Sequence, residues 1–350
     1  MVLRLLKRAK AEREINCARE NNMTTPSCEL IGEDMEVSHP TWGRIYVRNK
    51  RPTDLKQVAP NKVVIFQHGA TYGSAAFDLA FNGLSWMDYV AQRGFDTYCL
   101  DLPGYGRSER PPQMSEPPEN NQPFMRTHDA ADCLGAVVDF VCERRSIDSV
   151  FLVGWSWGTA ITSTYTSNNN RRVSRLALYA PVWDRTQSGP SPIHVDGKLG
   201  AYRTVNRDAT RKRRQAGLPN SEKDKVMPPE WFDSWWKETA ASDDLGNGET
   251  IRAPNGVVQD GAEYWNVGKP LYNPADIAVP VLVTVGEWDN DTPPYMAQAL
   301  YPLLTNAPWK RLSIVSGGTH SVMMERNRML LFRSVQQFLE ETDPSADAIE

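Results

Sequence analysis

At 350 residues the chain is long enough for one large domain or two small ones. Hydrophobic residues at 40% and charged residues at 23% suit a globular protein with a sizeable core and argue against a disordered or low-complexity chain. A net charge of −4 carries no basic surplus for nucleic acid, and no run of about 18 apolar residues marks a membrane span.

In chain order, residues 1–30 open with a basic segment whose apolar part, Val2 to Leu6, is interrupted by Arg4 and too short for a secretory core. It reads as a solvated extension. A short amphipathic helix is the alternative, and Met23 is an alternative start. Residues 34–50 alternate in strand fashion around Pro40 and Gly43, as an antiparallel pair does. From residue 62, short Val/Ile/Leu-rich runs (62–67, 96–100, 149–153, 175–179, 279–285 and 311–315) alternate with helix-compatible stretches (84–93, 127–144, 158–167, 294–304 and 324–340). Uninterrupted apolar strands need helices on both faces, so the fold class is α/β with a doubly wound, mostly parallel sheet. That core should span 31–181 and 276–342. Residues 182–275 hold a basic helical piece, a Trp-rich one and a Gly/Pro-rich connection, too long together for a loop, so they predict an inserted, mainly helical cap. A tail follows at 343–350.

The five cysteines (Cys17, Cys28, Cys99, Cys133 and Cys142) are odd in number and lack CxxC spacing. They predict free thiols in a reducing, cytoplasmic setting. No cluster of acids, His and Cys has metal-ligand spacing, so neither a metal nor another cofactor is expected.

The strongest local signal is VFLVGWSWGTA, a strand running through Gly154-Trp155-Ser156-Trp157-Gly158 into a helix. A G-x-S-x-G segment in that context places a serine hydroxyl on a sharp turn above the sheet, as a nucleophile requires. A serine needs a base. Of the five histidines, His39, His68, His128 and His194 lie elsewhere, and only His320 follows Ser156 on a strand-to-helix loop of the sheet. The orienting acid is expected on VTVGEWDNDTPP: Asp289 first, Asp291 next, Asp184 as an outside alternative and Glu287 as a loop residue. Oxyanion donors are expected from the backbone of Trp157 and of Ala70, with Thr71 as the alternative to Ala70. His68 should brace that loop. Trp155 and Thr71 are expected to contact substrate. Trp231, Trp235 and Trp236 fit a pocket lining and a packed helix equally, and Trp183 and Trp288 are undecided.

HGA at 68–70, DLPGYGRS at 101–108, GWSWG at 154–158, GEWD at 286–289 and GGTH at 317–320 together resemble the α/β-hydrolase superfamily, over roughly 34–181 and 276–340. DLPGYGRS lacks a P-loop lysine and reads as a structural turn. Dehalogenases and epoxide hydrolases of that superfamily carry Asp as nucleophile, so Ser156 speaks against both. The text HGATYG, GLSWMDYVAQRGFD, VGWSWGT and APNGVVQDG is similar to bacterial monoalkyl phthalate ester hydrolases. That resemblance implies hydrolysis of an aromatic monoester, with a cation for the free carboxylate and an apolar tunnel for the alkyl chain. Arg203 and Arg207 are cations for that role, weighed against plain solvated helix charges.

The expectation is therefore a serine carboxylic-ester hydrolase with a small-molecule ester as partner, without nucleic acid or stable membrane insertion, and with homo-oligomer formation open. Activity should fall below a pH of about 6.5 as the base protonates. Two rivals remain: a C–C bond hydrolase or lactonase using the same groups, and an inactive ligand-binding scaffold.

Overall fold

The computed structural model describes residues 28–55, 57–188, 191, 198–243 and 246–342. The extension with its Met23 reading, Cys17, His194 and the tail from 343 lie outside the described residues.

The strands are β1 (Leu30–His39), β2 (Gly43–Pro52), β3 (Val63–Gln67), β4 (Asp96–Asp101), β5 (Val150–Trp155), β6 (Val173–Tyr179), β7 (Tyr202–Asn206), β8 (Thr250–Pro254), β9 (Val281–Gly286) and β10 (Lys310–Val315). Eight form one sheet in the order β1-β2-β4-β3-β5-β6-β9-β10. β1 and β2 run antiparallel to each other, and β2 runs antiparallel to β4; every pair from β4 to β10 is parallel. The interior strands are buried on both faces because alternate residues feed two cores. Val63 and Ile65 face the helices Thr127–Arg145 and Trp157–Asn168, whereas Val64 and Phe66 face Trp86–Ala91 and Arg328–Glu340. Phe66 is fully buried, with the rings of Phe77 and Trp86 each 5.2 Å away. Truncating it to alanine would cost about 3–5 kcal/mol.

The parallel register brings the ends of β3, β5, β9 and β10 to one edge. β3 lies between β4 and β5, so successive connections leave it in opposite directions, and a crevice opens at that reversal.

Between β6 and β9 the chain leaves the sheet. Helices Arg207–Arg214, Lys223–Val226, Pro229–Ala241 and Gly256–Glu263 are present, but so is a two-stranded antiparallel ribbon of β7 and β8. Tyr202–Asn206, part of the basic stretch LGAYRTVNRDATRKRRQAG expected to be helical, is instead a strand; its partner lies more than 40 residues on, so no tight turn announces the pairing. The Trp-rich helix docks on the core through Phe232, Trp235 and Trp236, and Trp235 sets its ring 4.8 Å from Tyr72.

Cys28, Cys99, Cys133 and Cys142 are free. No helix among the described residues is long and apolar enough to cross a membrane.

Candidate active site

β5 ends at Trp155, and Ser156 turns the chain with φ 58° and ψ −123° before the helix begins at Trp157. A non-glycine residue in that region carries strain of order 1–3 kcal/mol, so its surroundings must enforce it. Ser156 N–H donates to the Tyr179 carbonyl at 2.9 Å, and its own carbonyl accepts from Thr159 N and Oγ1 at 2.9 and 2.6 Å. Close backbone approach explains the glycines on either side. A Cβ at Gly158 would lie 2.5 Å from the Gln67 carbonyl, and one at Gly69 would lie 2.8 Å from Ser156 Cβ.

His320 follows β10 on the next loop of the same edge. Its Nδ1 lies 2.9 and 3.1 Å from the two Asp289 carboxylate oxygens. Asp289 in turn accepts backbone N–H bonds from Asp291 (2.9 Å) and Thr292 (2.8 Å) and the Thr292 hydroxyl (2.9 Å), which fixes its rotamer. The His320 carbonyl accepts from Trp155 Nε1 at 2.9 Å and from the Tyr179 hydroxyl at 2.8 Å. Behind the loop, Glu325 accepts from Thr319 N–H, and burial lifts its carboxyl to about 7.

The other acids are elsewhere. Asp291 stands on the opposite side of the imidazole, its Oδ2 3.9 Å from His320 Nε2 and 2.7 Å from Arg213 Nη2. Burial pushes that carboxyl up, but the Arg213 guanidinium outweighs burial and holds it well below the usual carboxylate range. Glu287 is exposed and accepts from Gly317 N–H and Ser316. Asp184 accepts from Thr186 N–H and lines a different cavity, away from the imidazole. Among the described residues no hydrogen bond joins Ser156 Oγ to His320; such contacts are often loose before substrate binds.

Ala70, Ser156 and Trp157 line one small cavity of about 50 Å³. Trp157 opens its helix, so its N–H is a first-turn donor without an intrahelical acceptor. His68 is fully buried: Nε2 accepts from Leu102 N–H at 3.1 Å, which leaves Nδ1–H to donate to the Gly69 carbonyl at 2.7 Å. Burial lowers its pKa, so it is a neutral brace of the loop. Thr71 has φ 80°, and its hydroxyl accepts from Arg203 Nη2 at 2.6 Å. Thr71 lines a neighbouring cavity of about 370 Å³, and Trp155 lines neither.

The charged lining of the Ser156 cavity is Arg185, Arg213 and Asp291. Arg213 and Asp291 pair. Arg185, only 7% exposed, donates to the Asp291 backbone carbonyl, while its Nε has no acceptor among the described residues. Burial lowers its pKa. Arg203 is not a solvated charge: it is buried, bonded to the Pro254 carbonyl at 2.8 Å and to Asn255 at 3.2 Å, and lowered by burial to about 10. Arg207 is partly exposed and pairs with Asp233, away from the cavity. Trp183 lines a third cavity of about 100 Å³ that shares Val182 and Trp265 with the Ser156 cavity. Trp231, Trp235 and Trp236 line none of these three cavities and pack on the core. Among the described residues no group of His, Cys, Asp or Glu is arranged to hold a metal.

Sequence reasoning missed Arg185 and Arg213. Arg185 follows Asp184 just beyond β6, on the loop edge that supplies the other groups. Arg213 sits in TRKRRQ, where only the burial of Thr210 and Arg214 shows which side of the helix turns inward.

A model of the alpha/beta hydrolase fold family matches residues 62–327. No curated protein matches. Among solved structures, a thermophilic esterase from Thermogutta terrifontis is 15% identical, with a TM-score of 0.56, covering 88% of this chain and 98% of its own. An esterase from Exiguobacterium antarcticum is 16% identical at a TM-score of 0.56, covering 88% and 100%. Est816, described as an N-acyl homoserine lactone degrading enzyme, is 17% identical at 0.58, covering 87% and 100%. At these identities the likeness is one of fold.

Proposed function

From a chain that belongs to the alpha/beta hydrolase fold family, we propose a carboxylic ester hydrolase that works through an acyl-enzyme on Ser156. Asp289 holds the His320 tautomer with Nδ1–H bonded and Nε2 free to act as base. His320 takes the Ser156 proton as Oγ attacks the ester carbonyl. The Trp157 and Ala70 N–H groups receive the oxyanion. Collapse breaks the C–O bond, and the alcohol leaves with the proton held on Nε2. Water, deprotonated by the same nitrogen, then attacks the acyl carbon, and Ser156 is regenerated with release of the acid. Residues 182–275 serve as the cap over this edge.

The observation that carries this reading is the 2.9 Å contact of His320 Nδ1 with Asp289, on the edge that also turns at Ser156. A fluorophosphonate probe should label wild type and not Ser156→Ala, and a p-nitrophenyl ester panel should lose turnover in the same variant. Unlabelled folded wild type would instead favour an inactive scaffold.

One observation favours a narrower substrate class. Arg185 is a buried cation lining the Ser156 cavity with no carboxylate side chain of its own among the described residues, a costly state unless a partner completes it. An ester that carries its own carboxylate, of which a monoalkyl phthalate is one, supplies that counter-charge. The third cavity, which shares Val182 and Trp265 and is also lined by Trp183, Leu271 and Tyr272 with Asp184 and Lys269, offers room for an alkyl group. The Ser156 cavity is small against the several hundred Å³ usual for ligand sites, so the cap must shift to admit such an ester. Wild type should hydrolyse an acid half-ester faster than its neutral diester; the reverse order would remove this reading and leave the broader one.

A further inference from the structure

The loop after β9 sets two carboxylates around one imidazole, and the mechanism uses only one. Asp289 occupies Nδ1. Asp291 lies across the ring, 3.9 Å from Nε2, beyond hydrogen-bond length. Nε2 is the nitrogen that must exchange a proton with Ser156. A carboxylate free to swing onto it would trap the imidazolium and compete with the serine hydroxyl.

The backbone of Asp291 does not have that freedom. Its N–H donates to Asp289, and its carbonyl accepts from Arg185. Only the side chain can move, and Arg213 holds it: Nη2 reaches Oδ2 at 2.7 Å, and Nε reaches Oδ2 and Oδ1 at 3.0 and 3.3 Å. Arg213 comes from the inserted helix Arg207–Arg214, not from the sheet. The ion pair also separates two cavities, since Arg213 and Asp291 line both the Ser156 cavity and the larger one beside Thr71.

We propose that Arg213 is a positioning residue for the catalytic base: its ion pair keeps the Asp291 carboxylate neutralised and off the Nε2 edge of His320. The cap thereby licenses the base, and a cap displaced far enough to break this pair switches it off. The inference rests on the ester-hydrolase reading for its kinetic consequence.

The remaining groups around His320 do not duplicate this role. Asp289 and the Thr292 hydroxyl face Nδ1. Arg214 donates to Ser321, Glu325 accepts from Thr319, and Tyr179 and Trp155 donate to the His320 carbonyl. Arg185 bonds to the Asp291 carbonyl, not to its carboxylate.

The test compares Arg213→Gln, Arg213→Lys, Asp291→Asn and the double variant Arg213→Gln/Asp291→Asn. The readouts are the pH dependence of fluorophosphonate labelling at Ser156 and the NMR titration of the His320 ring. Removing the guanidinium leaves a bare carboxylate facing Nε2, which favours the protonated ring. Arg213→Gln should move the acid limb and the titration midpoint up by about one pH unit. Labelling below both midpoints should slow roughly tenfold, the limit set by that shift, and by less at neutral pH. Asp291→Asn should move the limb down. The double variant should restore wild-type behaviour, and Arg213→Lys, which keeps the charge, should hold the limb in place. If the double variant is as impaired as Arg213→Gln, the pair is a structural brace only, and the proposal falls. It also falls if neither midpoint moves. Should wild type not label at all, the ester reading fails, yet the NMR titrations still decide the proposal.

Discussion

At the sheet edge, Asp289 and Glu325 find their donors within a few residues: Asp289 takes two backbone N–H groups and a hydroxyl from its own loop, and Glu325 takes the Thr319 N–H, whereas Asp291 is held by Arg213 from the insertion. The insertion treats buried charge differently. Arg185 and Arg203 rest on carbonyls, and Arg214 on the Ser321 hydroxyl and the rings of Tyr72, Trp155 and Trp235 at 4.8, 5.0 and 5.3 Å. A carboxylate ringed by N–H donors is complete once the chain folds. A guanidinium bonded to carbonyls keeps its net charge and stays ready for an anion. On the proposed ester-hydrolase reading, the edge would supply the reaction, and the insertion selection and alignment.

Substitutions can break that division, starting with the largest effect. Ser156→Ala should lower ester turnover about a million-fold, and Asp289→Asn about ten-thousand-fold, in kcat measured at pH 8. If Asp291→Asn cost as much as Asp289→Asn, the assignment of the two acids across the ring would be reversed. Arg203→Leu tests whether the insertion aligns the oxyanion loop. It should lower kcat roughly 10- to 100-fold with little change in KM, because loosened donors act on the transition state. Arg203→Lys should rescue only in part, since one ammonium cannot serve Thr71, Pro254 and Asn255 in the geometry of a planar fork. Arg185→Leu should cut the preference for an acid half-ester over its neutral diester about 30-fold, the worth of one charged hydrogen bond. An unchanged ratio would mean that the insertion does not read substrate charge.

The smallest effect is one of slope. Glu325 has its carboxyl raised by burial from 4.5 to about 7, so between those values the folded state binds the proton more tightly than the unfolded one. Its contribution to stability is full below pH 4.5 and is lost as pH rises through 7. In Glu325→Gln, melting temperature plotted against pH should lose that decline; an identical plot would place the burial cost elsewhere.

What the sequence made legible was local or periodic. The run VFLV followed by GWSWG encodes a strand, a turn and a helix start within ten residues, and a scarcity of histidines narrowed the candidate base to His320, which the structure places against Asp289. Double burial wrote the parallel strands as unbroken apolar runs. Asp289 and Asp291 are two residues apart on one loop, and the structure separates them by which ring nitrogen each faces, which spacing cannot express. Trp155 looked like a pocket wall because it adjoins Ser156. Yet the residue before a strand-to-helix turn points down into the sheet, and its indole grips the His320 carbonyl. The β7–β8 ribbon and the contacts of Arg185, Arg203 and Arg213 join segments 44 to 132 residues apart, as with Arg203 and Thr71. No local pattern records such contacts.

The bond from Arg203 to Thr71 bears on how such a protein can be remade. Thr71 holds a backbone conformation that its own side chain disfavours, one residue beyond Ala70, and the guanidinium that pins it belongs to the insertion. The insertion is therefore not an interchangeable module. A chimera that grafts a foreign cap onto this sheet would inherit Ser156, His320 and Asp289 intact, and on the proposed reading should still turn over slowly until an equivalent of Arg203 was supplied with the graft.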